Sequence, residues 1–286
     1  MSPPSIRVDR GWLGAPSGTV GNPTTWLFAG AVALLAVGSW GYLAGALSVA
    51  VTIAVNAVGL YVIFTPLHEA MHGIAHESRW VNGAIGRCAG IPLTMPLPLF
   101  RAVHYEHHSH TNDARRDPDF VVGRRPAWLM PLWCIGVTTE YRLKFYGHRL
   151  WRTRGQLAEA IAVDVALIAI VAWAVARGAI GTLGVVWLVP GTLAVLFLAF
   201  AFDYLPHYPY DTGARWFDTR IYPGRTLNAL LLGQNYHLIH HLWTTIPWYR
   251  YRRVFAETRA DLGAGGCRIG WRVTPLPEGV SPLATR

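Results

Sequence analysis

Residues 26–72 read WLFAGAVALLAVGSWGYLAGALSVAVTIAVNAVGLYVIFTPLHEAMH. No charged side chain interrupts the chain between Arg10 and Glu69. About 20 apolar residues cross the hydrocarbon of a bilayer, so this run is long enough to cross twice. The glycine-rich GSWGYLAG, 38–45, is the expected turn between the crossings. The second crossing is expected to end near Pro66, and the stretch then closes on HEAMH, a match to H-E-x-x-H. Alone, that pattern reads as a zinc-protease helix, with two histidine ligands and a glutamate base.

Composition agrees with the long run. Hydrophobic residues make up 52% of the 286 and charged residues 14%, against roughly 25% charged in soluble domains. A second apolar block spans Ile161 to Phe202 and is broken by Arg177 and Gly178. The fold class expected is therefore an all-α membrane protein with four transmembrane helices in two hairpins. The third and fourth helices fall at about 159–176 and 180–202, the fourth bent by Pro190. Every Lys and Arg except Arg177 lies before, between or after the hairpins. The positive-inside rule then puts both termini and the middle segment in the cytoplasm, with a bacterial inner or plasma membrane as the expected location. The net charge of +9 needs no nucleic acid partner, because cations mixed with Trp and Tyr suit lipid headgroups.

The chain reads as one integral-membrane domain over 1–262, with 1–22 a flexible leader and 263–286 a loose C-terminal tail rich in Gly, Pro and Thr. The leader does not resemble a cleavable signal. Two apolar pieces, 90–100 and 127–137, are too short to span and read as interfacial or re-entrant. Cys88, Cys134 and Cys267 are scattered and form no C-x-x-C.

The histidines carry the chemistry. Three boxes stand out: HEAMH (His68, His72), HYEHH (His104, His107, His108) and HLIHH (His237, His240, His241), with His207 just after the fourth helix. Spacings of three and four place such side chains on one helix face, and neutral imidazole binds iron, copper, nickel or zinc. A catalytic zinc takes three protein ligands; this supply suits two metal ions in a cytoplasmic helical cap. His76 continues the face of His68 and His72, and a role hydrogen-bonding a ligand suits it as well as ligation. Glu69, Glu106, Asp117, Asp119 and Asp203 are carboxylates placed to accept ring N–H bonds, or are solvated charges. His110 and His148 read as surface or interfacial. Asp164, inside the third helix, is an intramembrane ionisable group, and Asn56 reads as an interhelical hydrogen-bond partner.

These boxes around two hairpins resemble the membrane fatty-acid desaturase and hydroxylase superfamily. In finer detail they are similar to the desaturase-like β-carotene 3-hydroxylases and the related ketolases. HHSHTNDARRDPDF (107–120) resembles their second box, DYLPHYP (203–209) the segment before their third, and RIYPGRTLNALLLGQNYHLIHHLWTTIPWYRY (220–251) the hydroxylase form of that third box. Glu69 departs from the aspartate usual in the first box. The resemblance implies two irons, cycling between Fe2+ and Fe3+ with O2 as co-substrate. The ligands it implies are His68, His72, His104, His107, His108, His207, His237, His240 and His241. Glu69, His76 and Asp203 are its candidates for supporting those ligands. It further implies a lipophilic substrate drawn from the bilayer, a carotenoid or an acyl lipid. The chain carries no internal redox motif, so electrons come from a separate donor; the resemblance implies ferredoxin or a similar one, for which the basic stretch 141–154 is a candidate face, with a headgroup-binding face as the alternative. Ring hydroxylation is the first expectation; ketolation or acyl desaturation within the same superfamily, an intramembrane zinc protease and a non-enzymatic metal carrier stand as alternatives.

Overall fold

The computed structural model describes residues 6–283 and is all-helical apart from one isolated parallel bridge between Ile221 and Ile269. Among the described residues, four helices are long and apolar enough to cross a membrane. They are α1 (Pro23–Leu43), α2 (Val49–His72), α6 (Arg154–Ala176) and α7 (Ile180–His207). Between them lie α3 (Arg79–Gly90), α4 (Leu97–Ser109) and α5 (Met130–Gly147); α8 (Arg225–Leu230), α9 (His237–Leu242) and α10 (Tyr251–Ala264) follow. The described residues cluster into two compact units. One comprises Pro16–Val103 and Thr138–Leu198; the other comprises the chain up to Ala15, His104–Val137 and the chain from Ala199 onward.

In the first unit, which holds the spans, the first three spans each start on a polar cap. Asn22 accepts from Thr24 N ahead of Pro23, Ser48 caps α2 and Thr153 caps α6, satisfying amide donors that a helix start leaves open. Val37, Trp40, Ile168 and Trp173 remain mostly exposed, as suits faces turned to lipid. Polar side chains tie the spans together. Pro190 has no N–H to give to the Val186 carbonyl one turn back. Asn56 Nδ2 supplies the missing donor at 2.7 Å and also reaches Ser39 Oγ at 3.1 Å. Gly38 leaves room for this amide, since a Cβ there would strike Asn56 Oδ1. Asp164 accepts from Arg142 at 2.8 Å and from Tyr146 at 2.8 Å, fixing α6 to the end of α5. Asn56 thus has the interhelical role its sequence position suggests, and Asp164 is held in a structural ion pair.

Several expected boundaries move. The first turn is not spread over 38–45: α1 runs on to Leu43 and Gly45, at φ 73°, makes the reversal. The second span does not stop near Pro66 but continues to His72, because an internal proline costs a membrane helix little when neighbours satisfy the freed carbonyl. The third and fourth spans begin at 154 and 180, and the fourth extends past 202 to His207 by widening to a π-helical turn over Ala199–Tyr204. The piece 127–137 belongs mostly to the longer helix α5.

The second unit buries Leu238, Ile239 and Leu242 of α9 against Tyr251, Val254, Phe255 and Leu262 of α10. Described residues of the leader and tail carry hydrogen bonds to other parts of their unit. In this unit Arg250 donates to the carbonyls of Gly11, Trp12 and Gly14, and Trp12 Nε1 donates to Glu257. In the first unit Gly18 N donates to Glu77. The tail forms a bidentate pair from Arg268 to Asp211 at 2.8 and 2.7 Å, and Arg220 donates to the Arg272 carbonyl. Beyond the 3-10 turn Arg10–Trp12 and the Ile269 bridge, Gly, Pro and Thr leave these segments without regular structure, and some of their backbone groups are taken up by side chains such as Arg250, Arg220 and Thr212. The leader's residues 1–5 and the tail's 284–286 lie outside the described residues.

Candidate metal centre

In the first unit, α2 carries His68, Glu69 and His72. Gly73, at φ 79°, ends the helix: its N–H returns to Ala70 O, and Ile74 N returns to Glu69 O, a left-handed cap that favours glycine. Asn82 Nδ2 and Arg101 Nη2 donate to Ala70 O and Arg101 Nε to Met71 O, so the last turn is tied down by side chains. His68 and His72 stand side by side with ring centroids 5.0 Å apart. His68 and Glu69 are buried. His76 is turned elsewhere. Its Nδ1 accepts from Ser78 N at 2.9 Å and its Nε2 meets Thr19 Oγ1 at 3.1 Å, so it holds local chain and keeps no ring nitrogen for a metal.

The second unit gathers the other seven expected ligands. In α9, the pattern HLIHHL sends Leu238, Ile239 and Leu242 into the core with α10 and leaves the three imidazoles on the remaining face. Gly233, at φ 83°, makes the turn into this helix where a Cβ would press on the Trp248 carbonyl. The spacing of HYEHH does the same on α4. Two nests result. In one, His107, His207, His237 and His241 offer nitrogens that all lie within 4.8 Å of one another, and all four rings are buried. His107 Nε2 is 3.2 Å from His241 Nε2, which is 3.1 Å from His237 Nε2. In the other, His108 Nε2 lies 3.0 Å from both His104 Nε2 and His240 Nε2. His108 and His241, with ring centroids 4.5 Å apart, join the two.

The partners on the far ring nitrogens select the tautomers. Asp117 Oδ1 accepts from His107 Nδ1 at 2.9 Å, and Asp119 Oδ2 lies 3.3 Å from the same atom. Asp117 is itself fixed by Asn112 N and Asp119 N. Asn112 Nδ2 donates to the carbonyls of Thr212 and Asp218, so its Oδ1 is the acceptor for His207 Nδ1–H at 3.1 Å. His207 Nε2 is therefore an unprotonated nitrogen, and it is buried with no hydrogen-bond partner. His240 Nδ1 meets Tyr251 Oη at 3.0 Å, and Asp218 Oδ2 lies 3.9 Å from His241 Nδ1. Imidazoles oriented through one nitrogen with the other aimed inward are the form that ligates a metal, so these residues fit metal ions.

The charges follow from burial and neighbours. Burial opposes a charged His107, but Asp117 and Asp119 outweigh it and raise its pKa to about 10. Burial, then the neighbouring His108, His237, His107 and His207, pushes His241 well below the ordinary histidine value. Burial pushes the Asp218 carboxyl well above the usual carboxylate range. Of the carboxylates singled out in the sequence, Asp117 and Asp119 serve a candidate ligand, whereas Glu106 lies 3.3 Å from His110 instead. Asp203 sits one turn before His207 in the widened end of α7, where its carbonyl accepts from Tyr210 Oη. Asn112, Tyr251 and Asp218 were not picked out from sequence. Asn112 and Tyr251 lay inside motifs already quoted, while WFDTR around Asp218 carries no spacing signal.

A family model described as fatty acid desaturase matches residues 40–272. An sn-1 oleoyl-lipid 12-desaturase of Picosynechococcus sp. is 26% identical over 264 residues, covering 82% of this chain and 74% of that protein. A beta-carotene ketolase of Paracoccus sp. is 29% identical over 205 residues, covering 69% of this chain and 74% of its own length. Beta-carotene 4-ketolase 3 of Haematococcus lacustris is 26% identical over 201 residues; the match spans 66% of this chain and 56% of the relative.

Proposed function

We propose, from the premise that the chain belongs to the fatty acid desaturase family, that it is a membrane oxidoreductase that hydroxylates a carotenoid ring using O2 and two irons. The observation that carries this reading is the pair of imidazole nests on α4, α9 and the end of α7, with the buried, unpartnered His207 Nε2 aimed inward. Relatives named as carotenoid ketolases and lipid desaturases support an oxidoreductase acting on a membrane hydrophobe. The hydroxylase-like sequence at 220–251 favours ring hydroxylation. The ketolase relatives favour, as a second reading, oxidation of the ring to a ketone.

In this reading His68, His72, His104, His107, His108, His207, His237, His240 and His241 are the iron ligands. When bound, the irons supply the redox chemistry that activates dioxygen toward an unactivated C–H bond. The chain's own residues hold that arrangement. Asp117 keeps the proton of His107 on Nδ1, Asn112 does so for His207, and the apolar side of α9, packed on α10, fixes the helix that carries three of the imidazoles. Electrons come from ferredoxin or a similar acidic donor, for which the exposed Arg149, Arg152 and Arg154 are a complementary face. The termini and the metal centre lie on the cytoplasmic side of a bacterial membrane.

Expression in a bacterium that accumulates β-carotene tests the reaction. Hydroxylated rings support it, ring ketones select the second reading, and unchanged pigment with new acyl double bonds selects lipid desaturation. Protein purified with about two irons per chain, lost on His→Ala substitution in the boxes, supports the cofactor. Stoichiometric zinc without iron would sink it.

A further inference from the structure

The tail sequence after Gly265 offers no periodicity, yet it converges on two residues, Asp211 and Thr212. Arg268, itself buried, grips both carboxylate oxygens of Asp211. Leu283 N donates to the Asp211 carbonyl at 2.7 Å. Thr212 Oγ1, fully buried, donates to the Ser281 carbonyl at 3.1 Å. The Thr212 carbonyl then accepts from Asn112 Nδ2 at 2.8 Å, and Asn112 Oδ1 accepts from His207 Nδ1. Asn112 sits at φ 66°, in the left-handed region, so outside contacts must hold it there. Leu283 also forms part of the wall of a pocket of about 540 Å³ that His108 and His241 line.

We propose that residues 267–283 are a positioning element for the metal centre: through Asp211, Thr212 and Asn112 they fix the angle and tautomer of His207. This rests on the reading of the histidine nests as a metal centre. Asp211 receives the tail on its carboxylate and on its carbonyl. The Asp211–Thr212 corner is therefore stationary, and Asn112 has a fixed carbonyl to donate to. With the tail released, Thr212 O is free to swing, Asn112 Nδ2 keeps only the Asp218 carbonyl, and its hold on the angle and tautomer of His207 loosens. Arg268, Asp211 and Asn112 are positioning residues; none is placed among the ligands.

The test uses the full chain in detergent, loaded with cobalt(II), whose visible spectrum reports ligand number and geometry. Three variants are compared: a stop at Ser281 that deletes 281–286, Arg268→Ala, and Arg268→Lys. The expected result is an altered spectrum and roughly 10–100-fold weaker cobalt binding at one of two sites for the deletion and the alanine variant, with partial recovery in Arg268→Lys. If Arg268→Ala does not fold, the short deletion, which removes only the outer contacts, decides. Unchanged spectrum and affinity in the deletion overturn the proposal. So does faster release to a chelator with an unchanged spectrum, which makes the segment a cover only. Wild-type chain that takes up no cobalt overturns the metal-centre reading as well, whereas wild-type binding with indistinguishable variants overturns the positioning role alone.

Discussion

The unit of the spans and the unit of the histidine nests answer their buried polar groups differently. In the first, Asn56 closes the carbonyl that Pro190 leaves open, and Asp164 takes Arg142 and Tyr146. These two side chains meet donors or acceptors on neighbouring helices. In the second, seven imidazoles are gathered close to one another. Their far nitrogens are met by Asp117, Asn112 and Tyr251, while their near nitrogens face one another. Burying polar groups costs free energy unless they are hydrogen-bonded. The first set ties helices to one another, whereas the second brings imidazole nitrogens together in the arrangement that the proposed metal centre requires.

The comparison is broken most severely at His207. Replacing it by alanine should remove one metal per chain and lower turnover by more than roughly a hundredfold, since losing even the partner of a ligand costs 10–100-fold; metal analysis and pigment conversion check this. Asp117→Asn comes next, with roughly 10–100-fold weaker metal binding by competition titration. It should also change the pH response of the metal-free chain. His107 has its pKa raised to about 10 by Asp117 and Asp119 against burial, from about 6.5 in the unfolded chain. Its contribution to stability is complete below about pH 6.5 and is lost as pH climbs through about 10. Melting temperatures should therefore fall over that window in the metal-free protein and fall less in Asp117→Asn.

Changes in the unit of the spans sharpen the contrast. Asp164→Asn should lower stability by about 1–2 kcal/mol, and Asn56→Leu by about 1 kcal/mol, each read from detergent melting with metal content unchanged. His76→Gln should have the smallest effect, a loosening near Thr19 seen as faster proteolysis there, again with full metal content. Metal loss in either span variant would erase the distinction between the units.

The spans were legible because their signal is a long run of one kind of residue, and the boxes because three- and four-residue spacings put imidazoles on one face. Element ends were less legible. Pro66 looks like a stop when only the local backbone is considered, but α2 runs through it to His72. The supports of the ligands were visible only where they follow a box closely, as Asp117 and Asp119 do. Asn112 acts through Thr212 and Asp218, about a hundred residues away in the chain, and no period marks such a pairing. The tail's contacts were illegible for the same reason: they come from Arg220 and from Asp211, outside its own composition.

The passage of α2 through Pro66 makes this helix a ruler. Residues 49–67 rise about 28 Å as a helix, close to the ~30 Å hydrocarbon thickness of a typical bilayer. His68 and His72 follow on the same rigid rod with no joint between. The depth of the first histidine box is then set by acyl-chain length. A thicker or thinner membrane must tilt the rod, deform around it, or draw the box toward or away from the lipid, so lipid composition becomes a variable of where that box sits.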